Sequence, residues 1–158
     1  MKTLIVYASK YGCAADCALY LKKNIPGETV LLDINKHNNC IQLDEFDTVI
    51  IGGSIYVGKV SKKLRTFCEK NCNVMVKKNI GIFICGALAA HEDEYFSANF
   101  PKEMTDHARS KKMFGSEARL DKLSTFDKLI IKAVTKGDFS NFKLSGENMD
   151  AFLKEMMS

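Results

Sequence analysis

No stretch of this 158-residue sequence approaches the ~18 consecutive apolar residues that a membrane-spanning helix needs. The amino-terminal segment MKTLIVYASKYG has one lysine, Lys2, ahead of a short apolar run at residues 3–8. That run is too brief for the core of a secretory leader, and no small-residue cleavage site follows it. A cytoplasmic location is therefore expected. Internal repeats and low-complexity segments are also missing, and no shift in composition marks a boundary, so residues 1–158 are expected to form one domain. There is no CxxC, which argues against a zinc ribbon or a thioredoxin-type motif. Basic runs with interleaved aromatics are lacking too, so no nucleic-acid partner is expected.

What is present is the composition of an ordinary globular chain, 46% hydrophobic and 27% charged. Its length suffices to bury a core without covalent staples. The net charge of +4 comes from lysines scattered along the chain, with short clusters at Lys62-Lys63, Lys77-Lys78 and Lys111-Lys112. A positive surface of this kind speeds encounters with acidic partners or anionic lipid, although lysines at helix ends and turns are commonly just solvated. Of the six cysteines, Cys13 and Cys17 are four apart, as are Cys68 and Cys72. Both pairs fall in segments with helical periodicity, where residues four apart are neighbours on one face, so neither pair closes a natural disulfide loop. Cys85 ends an apolar run and Cys40 lies in a polar connection. Reduced structural thiols are expected and no metal site is assigned.

The elements alternate. Residues 3–8 (TLIVYA), 29–34 (TVLLDI), 48–51 (TVII) and 79–85 (NIGIFIC) read as buried parallel strands, and residues 112–118 (KMFGSEA) as a fifth, more polar one. Helices are predicted over 13–24, 60–71, 93–109 with a break near Pro101, 123–136 and 146–157, and the polar turn Gly137-Asp138 separates the last two. In the helix over 60–71, Leu64, Phe67 and Cys68 are predicted to face inward. Strands alternating with helices predict an α/β fold in three layers, a five-stranded parallel sheet with helices on both faces.

Three strand ends carry unusual residues. The first is Ser9-Lys10-Tyr11-Gly12-Cys13-Ala14, the second Gly52-Gly53-Ser54-Ile55-Tyr56-Val57-Gly58, and the third Cys85-Gly86-Ala87. Ligands of open parallel sheets bind outside the carboxyl ends of the strands, where the winding reverses. The first loop runs directly into a helix, whose amino-terminal N–H groups and dipole favour an anion. Gly12 permits close approach of backbone, Ser9 offers a hydroxyl and Lys10 a charge. The same residues also suit a plain strand-to-helix turn with Ser9 as cap. The loop is neither GxGxxG nor a Walker loop. In the second loop, Gly52 and Gly53 keep side chains out of a ligand's way, and Tyr56 offers an aromatic face on which a flat ring could stack. An ordinary turn aromatic would look the same.

The segment TLIVYASKYGCAADCA resembles the opening strand and phosphate loop of the flavodoxins: a hydroxyl residue, two variable residues, Gly, a variable residue, then Ser or Thr. The stretch FDTVIIGGSIYVGKVSKKLRTFCEKN is similar to the flavodoxin-like branch that includes the quinone-linked, oxygen-independent protoporphyrinogen dehydrogenases, which carry a Gly-x-Ser-Ile-x-x-Gly loop. LSTFDKLIIKAVTKGDFSNF resembles that branch's late helix and Gly-Asp turn. The resemblance covers nearly the whole chain. It implies a flavodoxin-like sheet of order 2-1-3-4-5 and an FMN cofactor. The phosphate would be held by Ser9, Lys10, Tyr11, Gly12, Cys13 and Ala14, mostly through N–H groups. The flavin ring would lie against Ser54, Ile55, Tyr56, Val57 and Gly58, with backbone of Cys85, Gly86, Ala87 and Leu88 on the other side. Gly58 is expected to let a peptide reorient on reduction, because glycine accepts either sign of φ. Ala14 departs from the pattern, replacing the hydroxyl that closes the phosphate loop. The loss should cost on the order of 1.5–3 kcal/mol of FMN binding.

Three functions follow from the resemblance and the loops. One is an electron carrier between redox partner proteins. Another is a menaquinone-dependent enzyme that oxidises a porphyrin in haem biosynthesis. The last is a binding module that uses the fold without flavin. The helix over 123–136 is basic and amphipathic, and could touch a membrane surface peripherally or simply pack on its own domain. His91, just beyond the fourth strand, is the one histidine near these loops and reads as an exposed loop residue. No catalytic residue is assigned.

Overall fold

The computed structural model describes residues 1–37, 40–116 and 143–158, together with Thr125 and Leu129. Its strands are β1 (Lys2–Ala8), β2 (Glu28–Asp33), β3 (Thr48–Ser54), β4 (Asn79–Cys85) and β5 (Ser110–Met113). They pair in parallel in the order β2-β1-β3-β4-β5. The helices are α1 (Cys13–Asn24), α2 (Lys62–Met75), α3 (Glu92–Asn99), α4 (Lys102–His107) and α5 (Gly146–Met157). This is the sheet and the flavodoxin-like α/β fold expected from the sequence.

Each central strand is buried on both faces, which is why it reads as a continuous apolar run rather than an alternating one. Side chains still alternate in direction. From β1, β3 and β4, Leu4, Val6, Val49, Ile51, Ile80, Ile82 and Ile84 meet α2, α3 and α4 on one face. Ile5, Ile50, Phe83 and Cys85 meet α1 and α5 on the other. Burying one such aliphatic or aromatic side chain is worth roughly 1.5–3 kcal/mol, so the two cores rather than helix propensity hold the layers together.

Several boundaries differ from those predicted. β3 continues through Gly52 and Gly53 to Ser54 instead of stopping at Ile51. The two glycines serve packing: a Cβ on Gly52 would lie 1.9 Å from Phe83 Cζ, and one on Gly53 2.8 Å from a Leu64 methyl. Phe83 fills the space over Gly52 and stacks on Phe114 at 4.9 Å between ring centroids. The expectation that this glycine pair clears room for a ligand is thus corrected, because a neighbouring core side chain occupies each gap. β5 runs over Ser110–Met113 instead of 112–118. It ends because Gly115, at φ 80°, turns the chain into an antiparallel bridge with Leu144. α2 starts and ends later than predicted, its last residue Met75 being fully buried, and Phe67 packs only partly against the core. The break near Pro101 separates α3 from α4 as predicted. The helix expected over 123–136 and the Gly137-Asp138 turn lie outside the described residues, except that Thr125 and Leu129 are helical and exposed. Among the described residues no helix is long and apolar enough to cross a membrane.

Candidate functional site

The direction of winding reverses between β1 and β3, and their ends are in register there. Ala8 pairs with Gly53, Gly53 with Ile84 and Ser54 with Cys85. The chain therefore leaves β1, β3 and β4 at one level of the same sheet edge. All three loops singled out in the sequence begin at this edge.

The loop after β1 is short because α1 starts at Cys13. Gly12 occupies the N-cap position with φ 94°, a left-handed conformation that a side chain would strain, and it brings no side chain with which to cap the helix. The Gly12 N–H donates to Ser9 Oγ at 2.9 Å. Ser9 thus braces the loop instead of capping the helix. Ala14 is fully buried with its methyl in the core beneath α1, so only its backbone remains to serve this loop.

Beyond β3, Ile55 N–H donates to the carbonyl of Cys85 at 2.8 Å, tying the second loop to the third. Tyr56 and Lys59 then exchange two backbone hydrogen bonds of 2.8 and 3.1 Å around Val57 and Gly58. Both central residues have positive φ, 49° and 75°. This is a two-residue hairpin of the primed type, whose twist suits short hairpins. Val57 is 65% exposed, so a β-branched residue is held in the left-handed region with little packing to compensate.

Asn99, at the end of α3, holds this hairpin. Its Oδ1 accepts from Val60 N–H at 2.9 Å, and its Nδ2 donates to the carbonyls of Gly58 at 3.0 Å and Tyr95 at 2.9 Å. Sequence reasoning missed this residue. It lies 41 positions from Gly58, and a lone asparagine at a helix end carries no signal of such a partner.

Charge and aromatic faces meet where the first two loops approach each other. Lys10 Nζ lies 3.8 Å from the centroid of the Tyr56 ring and 5.3 Å from that of Tyr11. Ser54 Oγ is buried and has no hydrogen-bond partner among the described residues. A buried hydroxyl without a partner costs free energy unless something supplies one. After β4, Gly86 N–H donates to Gly115 O at 3.0 Å, while Ala87 and Leu88 are half-buried. His91 is exposed and paired with Glu94, Nδ1 to Oε2 at 3.0 Å.

Beneath the first loop, three thiols converge. The sulfurs of Cys13, Cys17 and Cys85 all lie within 4.8 Å of one another, with Cys17 and Cys85 at 3.7 Å. Hydrogen bonding with Cys13 and burial push the thiols of Cys17 and Cys85 well above the ordinary range. The helical spacing of Cys13 and Cys17 was legible in the sequence; the approach of Cys85 from β4 was not.

The residues expected at the phosphate (Ser9 to Ala14) and at the ring (Ser54 to Gly58, Cys85 to Leu88) thus sit on three adjacent loops. A buried hydroxyl without a partner among the described residues, a left-handed glycine at a helix start, a cation and an aromatic face fit a phosphorylated planar group such as FMN.

A family model described as "Flavodoxin domain" matches residues 4–143. A search of the curated proteins found no match. Among solved structures, the chain is similar to rubredoxin oxygen:oxidoreductase from Desulfovibrio gigas, with TM-score 0.59 and 12% identity over 99% of this chain. It spans only 37% of that much longer protein. A WrbA-like flavodoxin from Agrobacterium tumefaciens has TM-score 0.53 and 20% identity over 80% of this chain and 87% of its own. A flavoprotein from Lactobacillus acidophilus solved in complex with FMN has TM-score 0.50 and 17% identity, over 72% and 90% of the two chains. At these identities the likeness shows the fold alone.

Proposed function

Because this chain belongs to the flavodoxin domain family, we propose that it binds one FMN at the carboxyl ends of β1, β3 and β4 and carries electrons between redox partner proteins. The observation that carries this reading is the meeting of the Ser9 and Ser54 loops at the β1–β3 reversal, where Ser54 Oγ has no partner among the described residues and Lys10 reaches across to Tyr56.

In this reading FMN supplies the redox chemistry, and the chain supplies binding and electrostatics. Ser9, Lys10, Tyr11, Gly12, Cys13 and Ala14 hold the phosphate at the start of α1. Lys10, exposed beside this loop, adds a positive charge there. Ser54, Ile55, Tyr56, Val57 and Gly58 line one side of the ring, with Ser54 Oγ positioned to gain a hydrogen bond. Backbone of Cys85, Gly86, Ala87 and Leu88 lines the other. Asn99 holds the Gly58 carbonyl, so any reorientation of that peptide exchanges its bond to Asn99 for another partner.

Absorption and fluorescence of the purified chain, with and without added FMN, provide the test. A yellow protein binding one FMN per chain, reduced by one redox protein and reoxidised by another, is the expected result. Turnover of protoporphyrinogen that depends on a quinone would replace the carrier reading with the porphyrin-oxidising one, which no observation here favours. A chain that stays colourless in excess FMN would leave a flavin-free binding module.

A further inference from the structure

We propose that Cys13, Cys17 and Cys85 form a buried trithiolate site for a soft monovalent metal ion of the Cu(I) class. The three sulfurs come from two rigid elements: adjacent turns of α1 supply Cys13 and Cys17, and the end of β4 supplies Cys85. All three lie within 4.8 Å of one another. A metal about 2.3 Å from each sulfur in a plane holds them roughly 4.0 Å apart, so small rotations about the Cα–Cβ bonds bring the set into register.

The donor set selects the ion. Thiolates favour soft metals and disfavour magnesium, calcium and manganese, which take oxygen ligands. The group contains three cysteines and no carboxylate or imidazole among the described residues. Structural zinc sites take four protein ligands, whereas Cu(I) accepts soft sulfur ligands in lower coordination. The surroundings are apolar: Ile5, Ala14, Ala18, Ile50 and Phe83 belong to the same cluster of buried residues. Cys13, 6% exposed against 1% for the other two, marks the side of entry, beneath the loop formed by Ser9 to Gly12.

Binding involves no change of oxidation state. Three S–H bonds break, three Cu–S bonds form, and the three protons leave to solvent. Cys13 is the first residue of α1, and the positive end of the helix offsets part of the negative charge that results. Because protons are released, affinity rises with pH.

The test uses the full reduced chain with Cys40 replaced by Ser, which removes the one exposed thiol. It is titrated anaerobically with Cu(I) buffered by a chromogenic chelator. The expected result is withdrawal of one equivalent of copper, with X-ray absorption showing about three sulfurs at roughly 2.3 Å. Cys17→Ala and Cys85→Ala should each weaken binding by at least about a hundredfold, while Cys68→Ala, on the opposite face of the sheet, should leave it unchanged. Cys13→Ser, at a helix start where serine is well tolerated, tests the same point should a core variant fail to fold. Failure of the parent chain to compete for copper would overturn the proposal. So would retention of copper by Cys13→Ser together with Cys17→Ala or Cys85→Ala.

Discussion

Lys10 Nζ stands 3.8 Å from the centroid of the Tyr56 ring, so that a residue of the loop after β1 covers the aromatic face of the loop after β3. Such a contact is worth about 0.5–2 kcal/mol. A planar ring stacking on that face of Tyr56 displaces the ammonium, which lies in the loop leading to the start of α1. Lys10→Met removes both the competitor and the attractive charge. A charge-assisted contact of about 1.5–3 kcal/mol outweighs the cation–π interaction lost, so FMN affinity should fall roughly tenfold. Its salt dependence should also flatten. Fluorescence titration of FMN at low and high ionic strength measures both, and an unchanged salt dependence would rule out a phosphate role for Lys10.

Asn99 makes three hydrogen bonds from a buried position, two of them to the hairpin and its exit at Gly58 and Val60. Asn99→Ala leaves these backbone groups without partners and should cost about 1–3 kcal/mol. Asn99→Asp keeps the acceptor for Val60 but loses both donated bonds. Hydrogen exchange at the Val60 amide should therefore speed up in the alanine variant and remain slow in the aspartate variant. Equal protection in both would show that the hairpin holds itself.

Gly52→Ala drives a methyl into Phe83, which is stacked on Phe114 and meets Phe152 edge-on. With no room for the ring to swing, the loss should be roughly 3 kcal/mol, or about 6–12 °C in melting temperature. Gly146→Ala is the contrast: its added Cβ meets nothing within 4 Å among the described residues, and helix propensity then favours alanine. A calorimetric scan in which both variants melt like the parent would contradict the packing described for Gly52.

Val57 adopts φ 49° in the hairpin. Asparagine tolerates that conformation better than a β-branched residue. Val57→Asn should raise stability by about 1 kcal/mol, seen as a shift of the denaturant midpoint at unchanged slope. A lower midpoint would mean that Val57 makes packing contacts that outweigh its strain. Gly58→Ala meets no steric obstacle among the described residues but must keep φ near 75°, so it tests conformational freedom alone. If the peptide reorients on reduction, its one-electron potentials should change while the fold persists.

Lys112 lies 2.8 Å from one oxygen of Glu155, and Ser110 Oγ donates to the other at 2.7 Å. Lys112 first, then Ser110, hold the carboxyl below its ordinary value of 4.5. A lowered folded-state pKa stabilises the fold above the unfolded value, and the contribution disappears as pH falls through the folded one. Glu155→Gln should therefore destabilise the protein near neutrality and make no difference in acid well below pH 4.5. With the carboxylate side chain 43% exposed, screening limits the effect to about 0.5 kcal/mol. Denaturant melts of both proteins at neutral and acid pH would check the sign.

The apolar runs of β1, β3 and β4 declared themselves in the sequence because strands buried on both faces contain almost nothing else. Their alternation with amphipathic helices then left few sheet orders to consider. The positions of the three loops followed, since in a parallel sheet the carboxyl ends of all strands share one edge. What the glycines of β3 do was not legible. Gly52 looks like a loop glycine until Phe83 is placed over it, and that contact depends on the register of β3 with β4. Asn99 and Gly58, 41 residues apart, leave no periodic trace of their pairing.

Local chemistry written along the chain was thus enough to determine the fold class, and the resemblance of its loops to the flavodoxins implied the sheet order that the structure has. Only the folded chain decided which side chains meet across the carboxyl edge of the sheet: Lys10 on Tyr56, Asn99 on the hairpin, and Cys85 beside Cys13 and Cys17. The reason is physical. Periodicity and turn preferences act over a few residues, whereas these contacts depend on strand register and helix packing, which are fixed only when the whole sheet closes its two cores.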